Sequence, residues 1–269
     1  MSLRQRRLVV AGVCVAAGLL IVSRLASQRA QRADAWREIM DTGAVRIAMD
    51  ASYPPFESID QQGAFYGLDV DLARALGERW GVKVQFVNIA FDGLYDALLA
   101  RKADVILSAL PYDQLMTRDV IYSRAYFAGG QVIVAPSTAS WITSELDLRD
   151  KVVAVELGAE GHAVISRLNR DRGLRTEILA VYDVAEAAAA VQSGLAAALI
   201  CDRVEALGLA SGGALAIVGE PLTVDPFVLA VRMDSPRLAA EIASALESFT
   251  ADGTLSLLQR RWLEQRPGP

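Results

Sequence analysis

Imidazole and thiol chemistry are scarce in this chain, which has one histidine, His162, and two cysteines, Cys14 and Cys201. Neither cysteine has the spaced Cys or His neighbours of a zinc site, and a lone histidine cannot assemble one, so no metal and no cofactor is expected. Cys14 lies inside an apolar N-terminal run, which leaves Cys201 without a partner for an internal disulfide. His162 reads as a solvent-facing residue in the first turn of a helix rather than as a catalyst. What the sequence offers instead is carboxylates and aromatic rings at turns. The stretch MDASYPPFES sets Asp50, Tyr53 and Phe56 around Pro54 and Pro55, directly after the β-branched run VRIAM. A proline pair stops a strand and stiffens the turn that follows. Further along, Glu160 stands at the start of a helical pattern, and Asp202 follows the apolar run LAAALIC.

The elements that would position these residues alternate between strand and helix. From Val45 the chain reads VRIAM, DVDLARALGERWG, KVQFV, FDGLYDALLARK and ADVILSAL, a β/α alternation. In the first helix Leu72, Leu76 and Trp80 recur at i, i+4 and i+8, and Gly81 suits the position just past its end. Asp69 and Asp71 read as caps of its first turn, outside any site. After QVIVAP comes a spacer with Ser137, Thr138 and Ser140, and a second alternation begins near Leu148 with KVVAVELG, TEILAV, DVAEAAAAVQSG and LAAALICD. Two helical patterns, SPRLAAEIASALESFTADG and TLSLLQRRWL, end the chain. Two α/β units in 269 residues that are 53% hydrophobic predict two lobes, each with its own core, with Pro136 and Pro226 marking the crossings. The net charge of −5 lacks the basic excess that nucleic-acid backbones select.

The first 35 residues stand apart. Arg4, Arg6 and Arg7 precede an uncharged apolar run from Leu8 to Val22, and Arg24 follows it. About 15 apolar residues after a charged start suit a secretory signal, whereas a full membrane span takes about 20. Against cleavage, the nearest A-x-A site, Ala33 to Ala35, is far from the apolar run, and Val13 stands where a lipoprotein signal has a small residue before its cysteine. Residues 1–35 are therefore expected to be a signal sequence or an uncleaved membrane anchor. Either places the folded part outside the cytoplasm, in the periplasm or beyond the inner membrane.

VRIAMDASYPPFES, GLDVDLARALGERWGVKVQFVNIAFDGLYDALLARKADVILSAL, YSRAYFAGGQVIV, LRDKVVAVELG, IVGEPLTVDPFVLAVR and LESFTADGTLSLLQRRWL, taken in order, resemble the amino-acid-binding type of bacterial extracytoplasmic solute-binding protein over Val45 to Leu263. The resemblance implies an α/β, two-lobed, type II periplasmic-binding-protein-like fold. Each lobe would be a mixed β-sheet flanked by helices, and two hinge strands would join them. Lobe 1 is expected over residues 41–134 and 224–269, and lobe 2 over 135–223. It also implies a monomer that traps a small-molecule ligand between its lobes and delivers it to an ABC-type membrane permease, with no nucleic acid as partner.

On that fold the turn after the first strand overlooks the cleft, where Tyr53 and Phe56 would form an aromatic wall, and Asp50 takes the family position that meets a ligand's side chain. Phe91 is a further candidate at the cleft edge. Members of the family usually carry a Ser-Gly-Met-Thr run followed five residues later by an arginine that clamps the ligand's α-carboxylate. Here the run is Ser108, Ala109, Leu110 and Pro111, and Met116 stands in the place of the arginine. Arg118 lies two positions later; on a helix that is a rotation of about 200° away from the cleft, whereas a loop could swing it inward. In lobe 2, Ala159 and Glu160 replace the family's two threonines, and Asp202 takes the position of the acid that holds an α-amino group. Asp50, Glu160 and Asp202 would leave the cleft acidic, and charges 4 Å apart interact by about 4 kcal/mol when partly buried. The expected ligand is therefore small and polar with an amine or other cationic group. A conventional polar amino acid is the alternative, and a cyclohexadienyl-dehydratase-like enzyme using Glu160 as its acid is a further one. The leading expectation is a binder and not an enzyme.

Overall fold

The computed structural model describes residues 35–265, so the expected signal or anchor lies outside the described residues except for Ala35. Among the described residues no helix is long and apolar enough to cross a membrane. The chain starts with helix α1 (Ala35–Thr42) and strand β1 (Ala44–Met49). The proline turn then opens into a small antiparallel sheet of β2 (Ser52–Tyr53), β3 (Glu57–Ile59) and β4 (Phe65–Tyr66), which the sequence pattern did not announce. Helix α2 (Leu68–Trp80), β5 (Lys83–Asn88), α3 (Leu94–Leu99), β6 (Val105–Ile106) and β7 (Val120–Tyr122) follow. As the spacing predicts, Leu72, Leu76 and Trp80 are buried, and Gly81 ends α2 in the left-handed conformation.

A short strand, β8 (Phe127–Gly129), leads into the second unit: β9 (Gln131–Pro136), β10 (Val152–Glu156), α4 (Glu160–Arg172), β11 (Glu177–Val181), α5 (Val184–Gln192), β12 (Ala198–Asp202), α6 (Arg203–Ala210) and β13 (Leu215–Val218). The return runs through β14 (Asp225–Phe227) to β15 (Ala230–Arg232), and α7 (Pro236–Ala251) and α8 (Thr254–Gln259) close the fold. The first sheet has the order β5-β1-β6-β15-β7 and the second β11-β10-β12-β9-β13. Both are mixed: β1 pairs in parallel with β5 and β6 while β15 runs antiparallel, and β10 pairs in parallel with β11 and β12 while β9 runs antiparallel. The architecture is two sheet-centred lobes, the first completed by chain that returns from the second.

Between the sheets β8 and β14 pair as a two-stranded antiparallel ribbon, with Ala128 opposite Pro226. The crossing expected at Pro226 therefore falls on the ribbon. The first crossing comes earlier than the expected split at 134/135, because Gln131–Pro136 is hydrogen-bonded inside the second sheet against β12 and β13. The run QVIVAP is fully apolar after its first residue, and such a run suits a central strand of either sheet; only its pairing assigns it. Lobe 2 also reaches across the ribbon, since Val204 of α6 is buried in the core that holds β1, α2 and α7.

The expected caps of α2 are a correction. Gly67 occupies the N-cap with no side-chain cap, and its φ of +130° and the 2.1 Å that would separate an added Cβ from the Phe56 carbonyl oxygen leave glycine as the fitting residue. Asp69 is instead turned into the interior, fully buried. Asp71 receives the Trp262 indole N–H at 2.8 Å and pairs with Arg74 and Arg261, so it ties the C-terminal segment onto α2.

Candidate functional site

The carboxyl ends of parallel strands leave room for a ligand because the chain turns away there toward the next helix. In lobe 1 this edge holds a cavity of about 330 Å³ beyond β1 and β6. Six of the residues singled out in the sequence line it together: Asp50, Tyr53, Phe91, Ser108, Ala109 and Pro111. Ser52, Glu57 and Phe227 complete the lining, and none of these nine residues is lysine or arginine.

The turn is tightly built. Asp50 follows β1 directly, and both of its carboxylate oxygens are used: Oδ1 accepts the Ser52 hydroxyl at 2.7 Å and Oδ2 the Phe91 N–H at 2.9 Å. The Asp50 N–H donates to Ser108 Oγ at 2.9 Å, which joins the two strand ends. Tyr53 is 46% exposed and stacks on Phe56 with centroids 5.8 Å apart and planes 9° from parallel. Phe56 itself is 0% exposed, packed edge-on against Phe127 and Phe227. The expectation that both rings form the wall is corrected here: Tyr53 presents its face, and Phe56 is the backing that holds it. The ring three residues on is captured because the hinge ribbon brings two more phenylalanines beneath it, a long-range effect absent from the local sequence.

Met116 is half-buried against the core formed by Ala48, Leu94, Leu98 and Ile106, so the position of the missing arginine is a packing position. Arg118 is exposed in the turn before β7 and does not line the cavity. The inward swing weighed for it is not adopted.

From lobe 2, Asp202 ends β12 and caps α6, its Oδ1 accepting the Val204 N–H at 2.7 Å. Burial first, then the nearby Asp225 charge, raise its pKa above the ordinary aspartate value, while N–H groups of Val204 and Gly130 oppose the rise. Its charge reaches the lobe 1 wall: the Tyr53 hydroxyl is pushed up by burial and then by the Asp202, Glu205 and Glu57 charges. Ala159 is the N-cap of α4 and makes no side-chain cap, and Glu160 is the first, exposed residue of that helix. His162 accepts the Gly158 N–H through Nδ1 at 3.3 Å, so it closes the turn before α4. Cys201 is buried, and burial pushes its thiol up, which keeps it inert. Among the described residues no group of three His, Cys, Asp or Glu side chains could hold a metal ion.

Sequence reasoning missed Ser52, Glu57 and Phe227 in the lining. Glu57 was legible as the residue after Phe56 in a run that resumes as a strand; Phe227 was visible only as part of the apolar return PFVLAV, and its place against the turn depends on the β8-β14 ribbon.

Comparisons with known proteins bear on this arrangement. The chain is 29% identical over 227 residues to an L-arginine-binding protein of Pseudomonas aeruginosa, covering 81% of this chain and 87% of that protein. Among solved structures it is similar to an ancestral cationic amino acid solute binding protein, with 33% identity, a TM-score of 0.66, and coverage of 84% of this chain and 98% of the other. It is also similar to an ancestral cyclohexadienyl dehydratase, with 27% identity, a TM-score of 0.72, and coverage of 86% and 96%. Residues 45–265, from β1 to the end of the described chain, match one family throughout. With its two mixed sheets, paired crossing strands and strand-end cavity, this chain belongs to the bacterial extracellular solute-binding proteins, family 3.

Proposed function

We propose that this protein binds, without turning it over, a small solute carrying an amine or another cationic group, closes its lobes on it, and presents it outside the cytoplasm to an ABC-type permease. The observation that carries the reading is the sign of the cleft: Asp50 in the lining, Asp202 and Glu205 acting across on Tyr53, Asp225 beside Asp202, and no lysine or arginine in the cavity wall. Tyr53 offers a ring face for the cation and Asp202 a carboxylate. On this reading Asp50, Tyr53, Phe91, Ser108, Ala109 and Pro111 form the lobe 1 half of the site and Ala159, Glu160 and Asp202 the lobe 2 half. Strands β8 and β14 are the hinge that separates the lobes, residues 1–35 export or anchor the chain, and the protein acts as a monomer.

A second reading is a cationic amino acid, supported by the arginine-binding and cationic-amino-acid-binding relatives. Its α-carboxylate would be received by free N–H groups at the start of α4, which has no side-chain cap. Calorimetric titration of the exported part with agmatine, arginine, glutamine and glutamate tests both. Agmatine is arginine without its carboxylate, so binding of agmatine and arginine alike supports the cationic-group reading, and arginine without agmatine supports the second. Preference for glutamate or glutamine overturns both. Consumption of prephenate would overturn binding without turnover.

A further inference from the structure

At the cavity floor the start of β3 and the first turn of α2 bring two carboxyl groups together. Glu57 is 1% exposed and Asp69 0% exposed. One oxygen of each is satisfied. Glu57 Oε1 accepts the Ser108 hydroxyl at 2.8 Å, and Asp69 Oδ2 accepts the Ala109 N–H at 2.6 Å and the Tyr126 hydroxyl at 2.8 Å. The other oxygen of each, Glu57 Oε2 and Asp69 Oδ1, is buried and receives no donor from any other described residue. Among the described residues no lysine or arginine forms an ion pair with either acid.

The groups that face the pair make matters worse for two anions. Asp50 from the end of β1 adds negative charge, and the neighbouring phenols stay neutral: burial first, with Glu57 the least of three carboxylate charges, pushes up Tyr53 of β2, and burial, then the Asp69 and Glu57 charges, push up Tyr126 from the segment before β8. Among the described residues, Ser108 and Ala109 from the segment after β6 supply the donors to the pair besides the Tyr126 hydroxyl. Two adjacent buried carboxylates with no cation cannot both stay ionised. We propose that Glu57 and Asp69 share one proton, held between Glu57 Oε2 and Asp69 Oδ1, and that this acid-carboxylate pair positions the floor of the solute cavity. Burial, and for Glu57 also the Asp69 charge, push both carboxyls above the ordinary range, in keeping with one retained proton.

The pair acts through its neighbours. It orients the Ser108 hydroxyl, which must donate to Glu57 and so accepts the Asp50 N–H. It also holds the backbone of Ala109, a non-glycine residue with φ of +40°. Both residues line the cavity. Through Tyr126, whose N–H donates to the Phe227 carbonyl at 3.0 Å, it ties the floor to the start of the hinge ribbon. One net negative charge, rather than two, therefore stands behind the site.

Infrared spectroscopy and pH-dependent unfolding of the purified full-length chain test the assignment without any solute, so their outcome is independent of which ligand binds. At neutral pH the wild type is expected to show the carbonyl stretch of a neutral carboxylic acid. That band should vanish in Glu57→Gln and in Asp69→Asn and persist in Asp202→Asn. Because the folded state keeps a proton that the unfolded chain releases, the folding equilibrium should fall by roughly tenfold per pH unit above the ordinary carboxylate range, until the shared proton is lost. Glu57→Gln replaces that proton with an amide N–H and should flatten the slope. A wild type without the band, a band that survives both pair variants, or a Glu57→Gln slope as steep as wild type overturns the proposal. Should Glu57→Gln fail to fold, the wild-type spectrum and Asp69→Asn decide.

Discussion

Tyr53 and Phe56 are three residues apart on one stiff turn and do opposite things. Phe56 is sealed between Tyr53, Phe127 and Phe227, so Phe56→Ala should open a cavity and cost about 3–5 kcal/mol of stability, read as a lowered midpoint in denaturant. Tyr53 is half exposed, so Tyr53→Ala should cost only about 1 kcal/mol of stability while weakening solute binding. Equal stability losses in the two variants would contradict this division. Asp202 separates charge from structure in a different way. Its side chain caps α6, and asparagine caps nearly as well, so Asp202→Asn should leave the unfolding midpoint almost unchanged. If its carboxylate meets a cation, the same change removes a charge-assisted bond worth about 1.5–3 kcal/mol, roughly ten- to a hundredfold in affinity. Titration of wild type and variant with arginine and agmatine reads this directly; unchanged affinity for both would remove Asp202 from the site. Arg118→Ala should change neither stability nor affinity, since Arg118 is exposed outside the cavity.

The hinge is made from two short strands, and its geometry depends on close backbone approach. Gly130, just past β8, has φ of +112°, and an added Cβ would lie 2.3 Å from the Thr223 carbonyl oxygen. Thr223 also accepts the Gln131 N–H through its hydroxyl at 2.9 Å, so the two crossings are clipped together where lobe 2 begins. Gly130→Ala should therefore cost about 1–3 kcal/mol from its dihedral alone, with the clash adding to it. It should also change solute affinity, although residue 130 does not line the cavity. A variant with wild-type stability and affinity would show that the ribbon tolerates a shift at this point. Helix α6 has a related role: it belongs to lobe 2 by connectivity, yet Val204 is buried in the lobe 1 core, which keeps Asp202 close to the ribbon about which closure is proposed.

For the molecule as a whole, the proposed function requires the two strand-end edges to meet. Exposed apolar residues stand at both edges, among them Tyr112 at 48% and Leu115 at 87% in lobe 1 and Leu157 at 61% and Tyr182 at 88% in lobe 2. Burial of such surface on closure contributes roughly 25 cal/mol per Å² and offsets the cost of ordering the solute. Small-angle scattering should therefore show a smaller radius of gyration when a solute that binds by calorimetry is saturating. An unchanged radius at saturation would mean that the site works within one lobe.

The sequence by itself determined the alternation of strand and helix, the register of α2 through Leu72, Leu76 and Trp80, and the gathering of Asp50, Tyr53, Phe91, Ser108, Ala109 and Pro111 beyond strand ends. The alternation and register follow from the apolar period that sets the buried face, and the end of a parallel strand facing a cleft places Asp50, Tyr53 and Phe91, while Ser108, Ala109 and Pro111 were marked by the family resemblance. Only the tertiary structure decided which sheet QVIVAP joins, because an apolar strand fits the centre of either one until its partner is known. It alone turned Asp69 from a helix cap into half of a buried acid pair, since Ala109 and Tyr126, 40 and 57 residues away, reach it only after the lobe has closed around α2. It likewise withdrew Phe56 from the wall and packed Met116 against the core, because burial is set by what packs on top of a residue, and those neighbours are distant in the chain.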